Sequence, residues 1–470
     1  MTKSKFTRRS FIKTVGVGTA MAVLPTGLLK GVIKRKPNII YILADDLGYG
    51  DLSCYGQQKF KTPNIDRLAA EGIKFTQHYA GCTVCAPSRC SLLTGLHTGH
   101  AQIRGNREVM PEGQAPMQPG TMTIPTLLKR AGYISGMFGK WGLGAPGSDS
   151  DPTVFFDEFY GYNCQRQAHN YYPEYLWHNR KKVSLDGKTY SHDLIMKAAE
   201  DFIRANTDKP FFCYLPVTIP HASMHAPRQL HDKYRKLFPQ FEEKTGKYAG
   251  PDVRNPVAAF PAMVEYLDSG VGRILDLLEE LGIDDNTLVI FTSDNGPHRE
   301  GGHDPDFWNS NGILRGMKRD LYEGGIRVPF LARWPGKIQP GSRSDHISAF
   351  WDMLPTFCEI ADVDYTKDTD GISMLSAMLG KPQIEHDYLY WEFTSWNGEI
   401  GKQAIRKGDF KAIRQNVREN PDAGIELYNL KNDPGETMNV AAYYPEIVQE
   451  MKALFKEART ESAEFPLFKR

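Results

Sequence analysis

Continuous apolar runs alternate with amphipathic stretches along the chain. Four of the runs have the length of buried strands, and each one stops at polar residues. Residues 191–206 and 263–281 instead place their apolar side chains at helical spacing. Strands that alternate with helices predict an α/β fold with a large, mainly parallel or mixed central sheet flanked by helices. The polar residues at the four strand ends are Asp45, Asp46, Lys140, His221, Asp294 and Asn295.

The pattern changes after about residue 370. The segments "DYLYWEFT" and "KQAIRKGDFKAIR" alternate as antiparallel strands do, with a Lys-Gly-Asp turn inside the second segment. The segment "PEIVQEMKALFKEA" has the spacing of an amphipathic helix. We therefore predict a main domain over residues 36–374 and a smaller C-terminal α+β subdomain with an antiparallel sheet over residues 375–470.

The N-terminus predicts export. Paired Arg8 and Arg9 in "TRRSFIK" precede the small apolar run "TVGVGTAMAVLPTGLL". This order is typical of a twin-arginine signal peptide, so we assign residues 1–35 to the signal and expect the twin-arginine translocase as a partner. The run is short and glycine-rich for a membrane span, although an uncleaved anchor is the alternative. We expect a periplasmic or otherwise exported protein.

Charge and cysteine content exclude some classes of protein. With 57 Lys and Arg against 56 Asp and Glu, the net charge of +1 argues against a nucleic-acid partner. The seven cysteines are odd in number and irregularly spaced, which does not fit a small disulfide scaffold.

Polar residues at strand ends predict a metal site. Ligands of parallel α/β sheets bind beyond the carboxyl ends of the strands. Carboxylate and amide oxygens at the ends of two strands suit Ca²⁺ or Mg²⁺ better than zinc. For the Asp-Asp pair alone, a turn with a helix cap is the competing interpretation. The four candidate ligands are Asp45, Asp46, Asp294 and Asn295.

The stretch "CAPSRCSLLTG" places Cys85 in an unusual setting. A cysteine-phosphatase loop needs an arginine six residues after the cysteine, whereas Arg89 follows by four. A zinc site lacks a convincing fourth ligand, and a Cys82–Cys85 disulfide remains open for an exported protein. Pro87 suits the first turn of a helix, which would place residue 85 at the positive helix end, facing an anion.

The same stretch matches the type I sulfatase signature, C-x-P-S-R-x-x-x-L-T-G, at every specified position. From about Pro37 onward, the chain resembles this formylglycine-dependent, arylsulfatase-like family of the alkaline-phosphatase superfamily. Other shared segments are "ADDLGYGD", "GKWGLG", "TIPHASMH", "SDNG", "LRGMKRDLYEGGIRVP" and "ELYNLKNDPGETMNVA". The resemblance implies that 36–374 is a sulfatase catalytic domain.

The resemblance also implies a modified nucleophile. Cys85 would be oxidised to formylglycine (3-oxoalanine) by a formylglycine-generating enzyme before folding, guided by Pro87 and Arg89. Its hydrate would offer one hydroxyl to attack sulfur and a second to help expel sulfate. The oxidised residue 85 would join the strand-end residues around a calcium ion.

Four further side chains receive roles from the resemblance. Arg89 would contact the hydroxyl of residue 85 and the metal ligands. Lys140 and Lys318 match the sulfate-binding lysines of the family. His221 matches the histidine that assists protonation of the leaving group, and a strand end suits a general acid.

One position departs from the family pattern. The usual form is G-K-W-H-L-G, whereas Gly142 stands in place of the histidine that contacts formylglycine and serves as the base releasing sulfate. We expect His97 or His100, or else solvent, to take over this role.

The substrate is predicted from composition. The segment "GYNCQRQAHNYYPEYLWHN" is rich in aromatic and amide side chains, which fit a sugar ring, although buried aromatic residues of a structured loop are the alternative. We predict hydrolysis of a sulfated carbohydrate, with a galacto-configured ring sulfated at O4. The predicted substrate-binding residues are Arg104, His169, Trp177 and His225.

Two other functions fit part of this pattern. A formylglycine phosphodiesterase or phosphonate monoesterase shares the nucleophile, but phosphoryl chemistry often brings a second metal cluster, which the sequence does not suggest. A catalytically inactive sulfated-glycan-binding protein would explain Gly142. The nucleophile, metal and lysine motifs together favour a sulfuric ester hydrolase.

Overall fold

The structure is a computed structural model that describes residues 35–365, 368–395 and 400–469. Residues Lys36–Arg470 form one compact unit. The predicted export signal lies outside the described residues, apart from Arg35. Within the described ranges, no helix is both long enough and apolar enough to cross a membrane.

Strands alternate with helices through the larger part of the chain, as the apolar pattern predicts. In chain order the strands are β1 (Asn38–Ala44), β2 (Ile73–Tyr79), β3 (Ile134–Lys140), β4 (Glu158–Tyr162), β5 (Tyr175–His178), β6 (Lys181–Ser184), β7 (Phe211–Pro216), β8 (Thr245–Gly246), β9 (Val253–Arg254), β10 (Thr287–Ser293), β11 (Arg327–Arg333), β12 (Ser342–Ser344), β13 (Ser348–Ala349), β14 (Leu389–Thr394), β15 (Gly401–Lys407), β16 (Phe410–Arg414) and β17 (Ile425–Asn429). The α-helices are α1 (Pro63–Ala70), α2 (Cys85–Thr94), α3 (Ile124–Arg130), α4 (Pro152–Phe155), α5 (Ser191–Ala205), α6 (Arg228–Leu237), α7 (Pro256–Glu280), α8 (Pro305–Trp308), α9 (Glu323–Ile326), α10 (Met353–Ala361), α11 (Leu375–Met378) and α12 (Pro445–Glu457).

A mixed sheet of 11 strands forms the centre of the molecule. Its strand order is β12-β2-β11-β10-β1-β7-β3-β4-β5-β6, and β13 also pairs with β2. The five central strands from β10 to β4 run parallel to one another. Antiparallel pairing begins at β11 on one side and at β5 on the other. The predicted α/β class with a large mixed sheet is confirmed.

Strand β1 shows why the sheet is buried on both faces. Its seven residues are all buried. Ile40 and Ile42 point into one core with α5 and α7, whereas Ile39, Tyr41 and Leu43 point into the other with α2, α3 and α10. Successive side chains of a strand point to opposite faces, so a strand covered on both sides needs an unbroken apolar run. Each fully buried aliphatic side chain contributes about 1.5–3 kcal/mol.

The two predicted helices are present, and one of them is longer than expected. The segment predicted over residues 191–206 forms α5, Ser191–Ala205. The segment predicted from residue 263 begins earlier, at Pro256. Asn255 caps this helix through its side chain, which accepts a hydrogen bond from the Ala258 amide at 3.0 Å, and Pro256 fits the first helical position.

The parallel strands bring four polar strand ends to one edge of the sheet. Ala44 and Ser293 are paired across β1 and β10, so the next residues of both strands are neighbours. The Asp294 amide donates to the Ala44 carbonyl at 3.0 Å, and the Asp45 amide donates to the Ile219 carbonyl at 3.3 Å. β3 ends at the same edge.

The C-terminal region carries the predicted antiparallel sheet, in the order β14-β15-β16-β17. β15 and β16 are joined at the predicted Lys-Gly-Asp turn, with Gly408 in a left-handed conformation. α12 packs on the sheet through Met451 and Phe455. The boundary at residue 374 stays a prediction.

Candidate active site

Cys85 is the first residue of α2 and lines a cavity of about 360 Å³, a volume within the range of small-molecule sites. Its side chain is buried, and the Asn106 Nδ2 lies 3.5 Å from its Sγ. The free N–H groups of a first helical turn carry partial positive charge, so this position favours an anion. Cys82 and Cys85 are both free thiols, which excludes the disulfide alternative in this structure.

The four predicted metal ligands meet at the carboxyl ends of β1 and β10, and all are fully buried. Asn295 Nδ2 donates to Asp46 Oδ1 at 2.7 Å, and the Asp46 amide donates to Asp294 Oδ1 at 3.1 Å. Asp45 Oδ1 and Asn295 Oδ1 accept no hydrogen bond within the described ranges. Buried polar atoms are almost always paired, so these two oxygens call for a hard cation.

Three buried cations neutralise the carboxylates. Each of them comes from a different segment of the chain, and Arg89 also lies 3.3 Å from Asp45. The closest ion pairs are Arg89 with Asp294 at 2.8 Å, Lys140 with Asp45 at 2.6 Å and Lys318 with Asp46 at 2.8 Å.

These charges shift the pKa values of the site. Burial alone would raise the pKa of Asp45, but Lys140 and Arg89 hold it well below its usual value. Burial and the adjacent Asp45 raise the pKa of Asp294 to about 7. Burial would lower the pKa of Lys318, yet Asp46 raises it above the ordinary value. The two lysines therefore stay charged. Without a metal ion between them, the three carboxylates repel one another.

His221 and Lys318 form a second polar pair, and both line the cavity. Lys318 Nζ lies 2.9 Å from His221 Nε2, and Asp46 Oδ2 lies 3.3 Å from the same nitrogen. Burial and Lys318 lower the pKa of His221 well below its usual value. The His169 ring stacks on His221 with centroids 4.7 Å apart. The arrangement places a lysine proton and a neutral imidazole in the cavity that Cys85 also lines.

The cavity mouth is basic and partly aromatic, and most of these residues were missed from the sequence. Arg107, Arg166 and Arg319 line it, with side chains that are 41%, 54% and 56% exposed. Tyr248 and Phe393 add ring surfaces. The three arginines come from separate loops. Arg166 lies in the segment that the sequence assigns to sugar binding, whereas no local pattern indicates a site at Arg107 or Arg319. Each arginine is ion-paired with a glutamate at 2.5–2.7 Å but remains about half exposed, so a ligand can still approach its guanidinium group. The exposed guanidinium groups and the rings together suit an anionic ligand with a sugar-like body.

Of the predicted substrate-binding residues, His169 lines the cavity and three others do not. Arg104 is buried in an ion pair with Glu392 at 2.9 Å, so its charge is already neutralised. Trp177 lies on β5, where its ring nitrogen donates to Glu112 at 2.7 Å. His225 Nε2 is 3.0 Å from the Pro251 carbonyl. In this structure the three residues make contacts within the protein away from the cavity, and their predicted roles in substrate binding stay predictions.

His97 and His100, the expected substitutes for the family histidine, do not line the cavity either. Their rings stack with centroids 4.5 Å apart. His100 Nδ1 lies 2.9 Å from Asp370, and the His97 amide donates to the same carboxylate at 2.9 Å. Both histidines are thus committed to a separate cluster.

Comparisons with known proteins agree with this geometry. The family model Sulfatase matches residues 37–363, and the model N-sulphoglucosamine sulphohydrolase, C-terminal, matches residues 316–461. The chain is 31% identical to the N-acetylgalactosamine-6-O-sulfatase of Bacteroides thetaiotaomicron, over 92% of this chain and 94% of that protein. It is 32% identical to human arylsulfatase A, over 90% of this chain and 87% of that protein.

A solved structure shows the same fold. The crystal structure of Ps i-CgsB in complex with k-i-k-neocarrahexaose superposes with a TM-score of 0.75 and 28% sequence identity. The match covers 90% of this chain and 93% of that one.

Proposed function

The chain belongs to the sulfatase family, and we propose that it releases inorganic sulfate from a galacto-configured sugar by means of a formylglycine at residue 85 and a bound calcium ion. It is a sulfuric ester hydrolase by family. The sugar, the modified residue and the metal are the parts that we propose.

One observation carries the proposal: two unpaired carboxylate and amide oxygens lie within a cluster of three buried cations beside Cys85. Three carboxylates and three cations sum to zero, so the cluster has no net charge of its own. A divalent cation would make it positive, which suits a sulfate ester and an ionised hydroxyl. Zinc fits this all-oxygen set poorly.

Calcium would be held by Asp45, Asp46, Asp294 and Asn295, and it would supply a charge that holds sulfate and acidifies the hydroxyl of residue 85. The chain itself positions these ligands. Arg89 Nη1 donates to the Lys140 carbonyl at 2.6 Å and Ser88 Oγ donates to the Asp294 carbonyl at 2.6 Å, so α2 is tied to both strand ends.

A formylglycine hydrate at residue 85 would supply the hydroxyl nucleophile and a second hydroxyl that helps to expel sulfate. Departure of the sugar alcohol requires a proton at the cavity side of the site. Lys318 and His221 are the described pair that can provide it, because both line the cavity and share a 2.9 Å contact. Lys140 Nζ donates to Asp45 Oδ2, and its positive charge would help to stabilise the negative charge of the bound sulfate.

The sugar class rests on the cavity mouth and on the relatives. Exposed arginines with Tyr248 and Phe393 suit a sulfated ring. The Bacteroides relative is named for N-acetylgalactosamine 6-O-sulfate, whereas the sequence predicts O4. We propose a galacto ring, and paired 4-O- and 6-O-sulfated N-acetylgalactosamine substrates will show which position is cleaved.

The test combines mass spectrometry with sulfate release. In protein from the native host, the tryptic peptide Phe75–Arg89 should have lost the thiol of Cys85 and gained an aldehyde. The same preparation should release sulfate, and Cys85→Ala should abolish this. An intact thiol with saturable glycan binding would contradict the proposal and indicate a binding protein. Preferential hydrolysis of the matched phosphate esters would indicate a phosphodiesterase.

We also propose export through the twin-arginine translocase after modification by a formylglycine-generating enzyme. Paired Arg8 and Arg9 before an apolar run support this. Replacing both with lysine should retain the protein in the cytoplasm while leaving the aldehyde at residue 85 in place. Periplasmic protein from that double variant would contradict this route.

A further inference from the structure

The space next to Gly142 is filled by Gln165. A Cβ atom at residue 142 would lie 3.0 Å from both Cγ and Nε2 of Gln165. Gly142 also has a φ of +76°, which a side chain disfavours. The two segments are tied by the Gly142 amide, which donates to the Asn163 carbonyl at 3.1 Å. The backbone here is therefore shaped for glycine at 142 and for a glutamine side chain against it.

The side-chain amide of Gln165 lies beside Gly142 and has no hydrogen-bond partner for its Nε2 among the described residues. The residue is 6% exposed and lines the same cavity as Cys85. Its backbone N–H is held by Gln114 Oε1 at 3.0 Å, which fixes the start of the side chain. Nε2 is buried and donates to no acceptor within the described part of the chain. A buried donor of this kind is costly unless a ligand supplies the acceptor.

We propose that the Gln165 amide is the hydrogen-bond donor to the reacting centre, in the place of the histidine that Gly142 replaces. The acceptor is an oxygen carried by residue 85 or by the sulfate bound to it. This inference rests on the proposed function. The encoded Cys85 offers only a sulfur atom at this position. The oxidised residue and the sulfate ester would instead offer oxygens that can accept a hydrogen bond from the Gln165 amide.

A carboxamide orients its partner without taking up a proton. It holds an oxygen by one hydrogen bond at every pH at which the fold is stable. The ionisation that a histidine at residue 142 would add to the pH profile of kcat is therefore absent. Gln165 accordingly acts as a donor and never as a general base.

The first experiment replaces the donor while keeping the volume. In Gln165→Met, we expect kcat/KM to fall about 10²-fold, the loss typical of one oxyanion-type donor. Two readouts do not depend on turnover. Labelling of the residue 85 aldehyde by an aminooxy probe should accelerate if the acceptor belongs to residue 85. Binding of inorganic sulfate in a Cys85→Ser background should weaken if the acceptor belongs to sulfate.

The matched control is Gln167→Met, two residues away, whose Nε2 already donates to the Tyr175 carbonyl at 3.0 Å. It should leave all three readouts within about twofold of the unaltered protein, since its amide does not line the cavity of Cys85. If Gln165→Met does not fold, Gln165→Glu preserves the shape and replaces the donor with a carboxylate, so sulfate binding should weaken further.

The second experiment introduces a histidine at residue 142 and then removes the Gln165 side chain that occupies the same space. Gly142→His alone should lose activity because its side chain collides with Gln165, and adding Gln165→Ala should recover at least about tenfold of that loss by coupling of adjacent sites. Unchanged turnover, labelling and sulfate binding in Gln165→Met would overturn the inference. An unaltered protein without aldehyde or sulfate release would overturn the proposed function instead.

Discussion

Two buried clusters of opposite charges within the described residues invite comparison, because both are built from carboxylates and cations and they differ in what they border. The active-site cluster consists of three carboxylates and three cations at the edge of the central sheet. The second, which we call the junction cluster, joins α9 of the central part to the C-terminal sheet. Its members are Glu323, Lys411 and Glu436, all completely inaccessible to solvent.

The two clusters differ in where their unpaired oxygens lie. In the junction cluster, Lys411 Nζ lies 2.9 Å from Glu323 and 3.1 Å from Glu436, and Glu436 also accepts from the Glu323 amide at 2.6 Å. Glu436 Oε1 accepts no hydrogen bond from the described residues, but it faces the lysine across that 3.1 Å ion pair. In the active-site cluster, Asp45 Oδ1 and Asn295 Oδ1 accept nothing from the described residues. Only the active-site cluster borders a cavity that Cys85 also lines.

The comparison shows that buried charges can either stabilise the fold or prepare a site for a ligand. Taking ions out of water is expensive, and mutual pairing repays that cost only when the geometry is complete. The junction cluster is closed around its own lysine and can hold two parts of the chain together. The active-site cluster is left open toward a ligand, so part of its electrostatic stabilisation would appear only when the proposed metal and sulfate bind.

The largest expected effect comes from Asp45→Asn, which keeps the volume and removes one charge from the proposed calcium site. We expect kcat/KM to fall by at least about 10³-fold, because the metal and Lys140 both lose their carboxylate. The measurement is sulfate release from the preferred sugar sulfate.

Thermal unfolding in calcium provides the companion measurement. A metal that binds only the folded state stabilises it by about 2.7 kcal/mol at 100 times its Kd. We expect calcium to raise the melting temperature of the unaltered protein and to have little effect on Asp45→Asn. An equal calcium response in both proteins would contradict the assignment of this cluster to the metal.

The next effect in size comes from the junction cluster, through Lys411→Met. Removing the only lysine between two buried carboxylates should destabilise the fold by about 3–5 kcal/mol. Chemical denaturation measures this loss. The folded fraction should keep its kcat, which distinguishes this variant from Asp45→Asn. A loss below about 1 kcal/mol would show that the cluster does not hold the C-terminal sheet in place.

The sequence predicted the active-site cluster far better than the junction cluster. Asp45, Asp46 and Asp294 follow continuous apolar runs, and parallel strands bring their ends together, so a local pattern carried long-range information. Glu323 and Lys411 are 88 residues apart with no such pattern. A lone lysine is exposed in most proteins, and only the assembled fold shows that this one is buried.

The predicted substrate-binding residues show a different limit of sequence patterns. Arg104 and Trp177 were assigned from composition, and the structure pairs each with a carboxylate away from the cavity. Composition indicates which side chains suit a sugar but not which way they point. Gln165 lies in the amide-rich segment that the sequence assigns to sugar binding, but nothing in that segment distinguishes it from its neighbours, since its proposed role depends on a glycine elsewhere in the chain.

The smallest effect concerns the pH dependence of stability. Burial raises the pKa of Glu436 to about 7, and Glu323 adds to the rise against the opposing effect of Lys411. In the unfolded chain this carboxyl ionises near pH 4.5. Between these values the unfolded state releases its proton first, so stability falls as pH rises toward 7, by up to about 3 kcal/mol.

Glu436→Gln tests this directly, because the amide keeps an acceptor for the Glu323 amide and does not ionise. We expect the variant to lose that slope and to be more stable than the unaltered protein at pH 8, while the difference shrinks toward pH 5. Denaturation curves across this range provide the measurement, and Glu419→Gln on the surface is the control. If the slope survived in Glu436→Gln, the junction cluster would not be its source, and the contrast with the proposed calcium-binding cluster would fail.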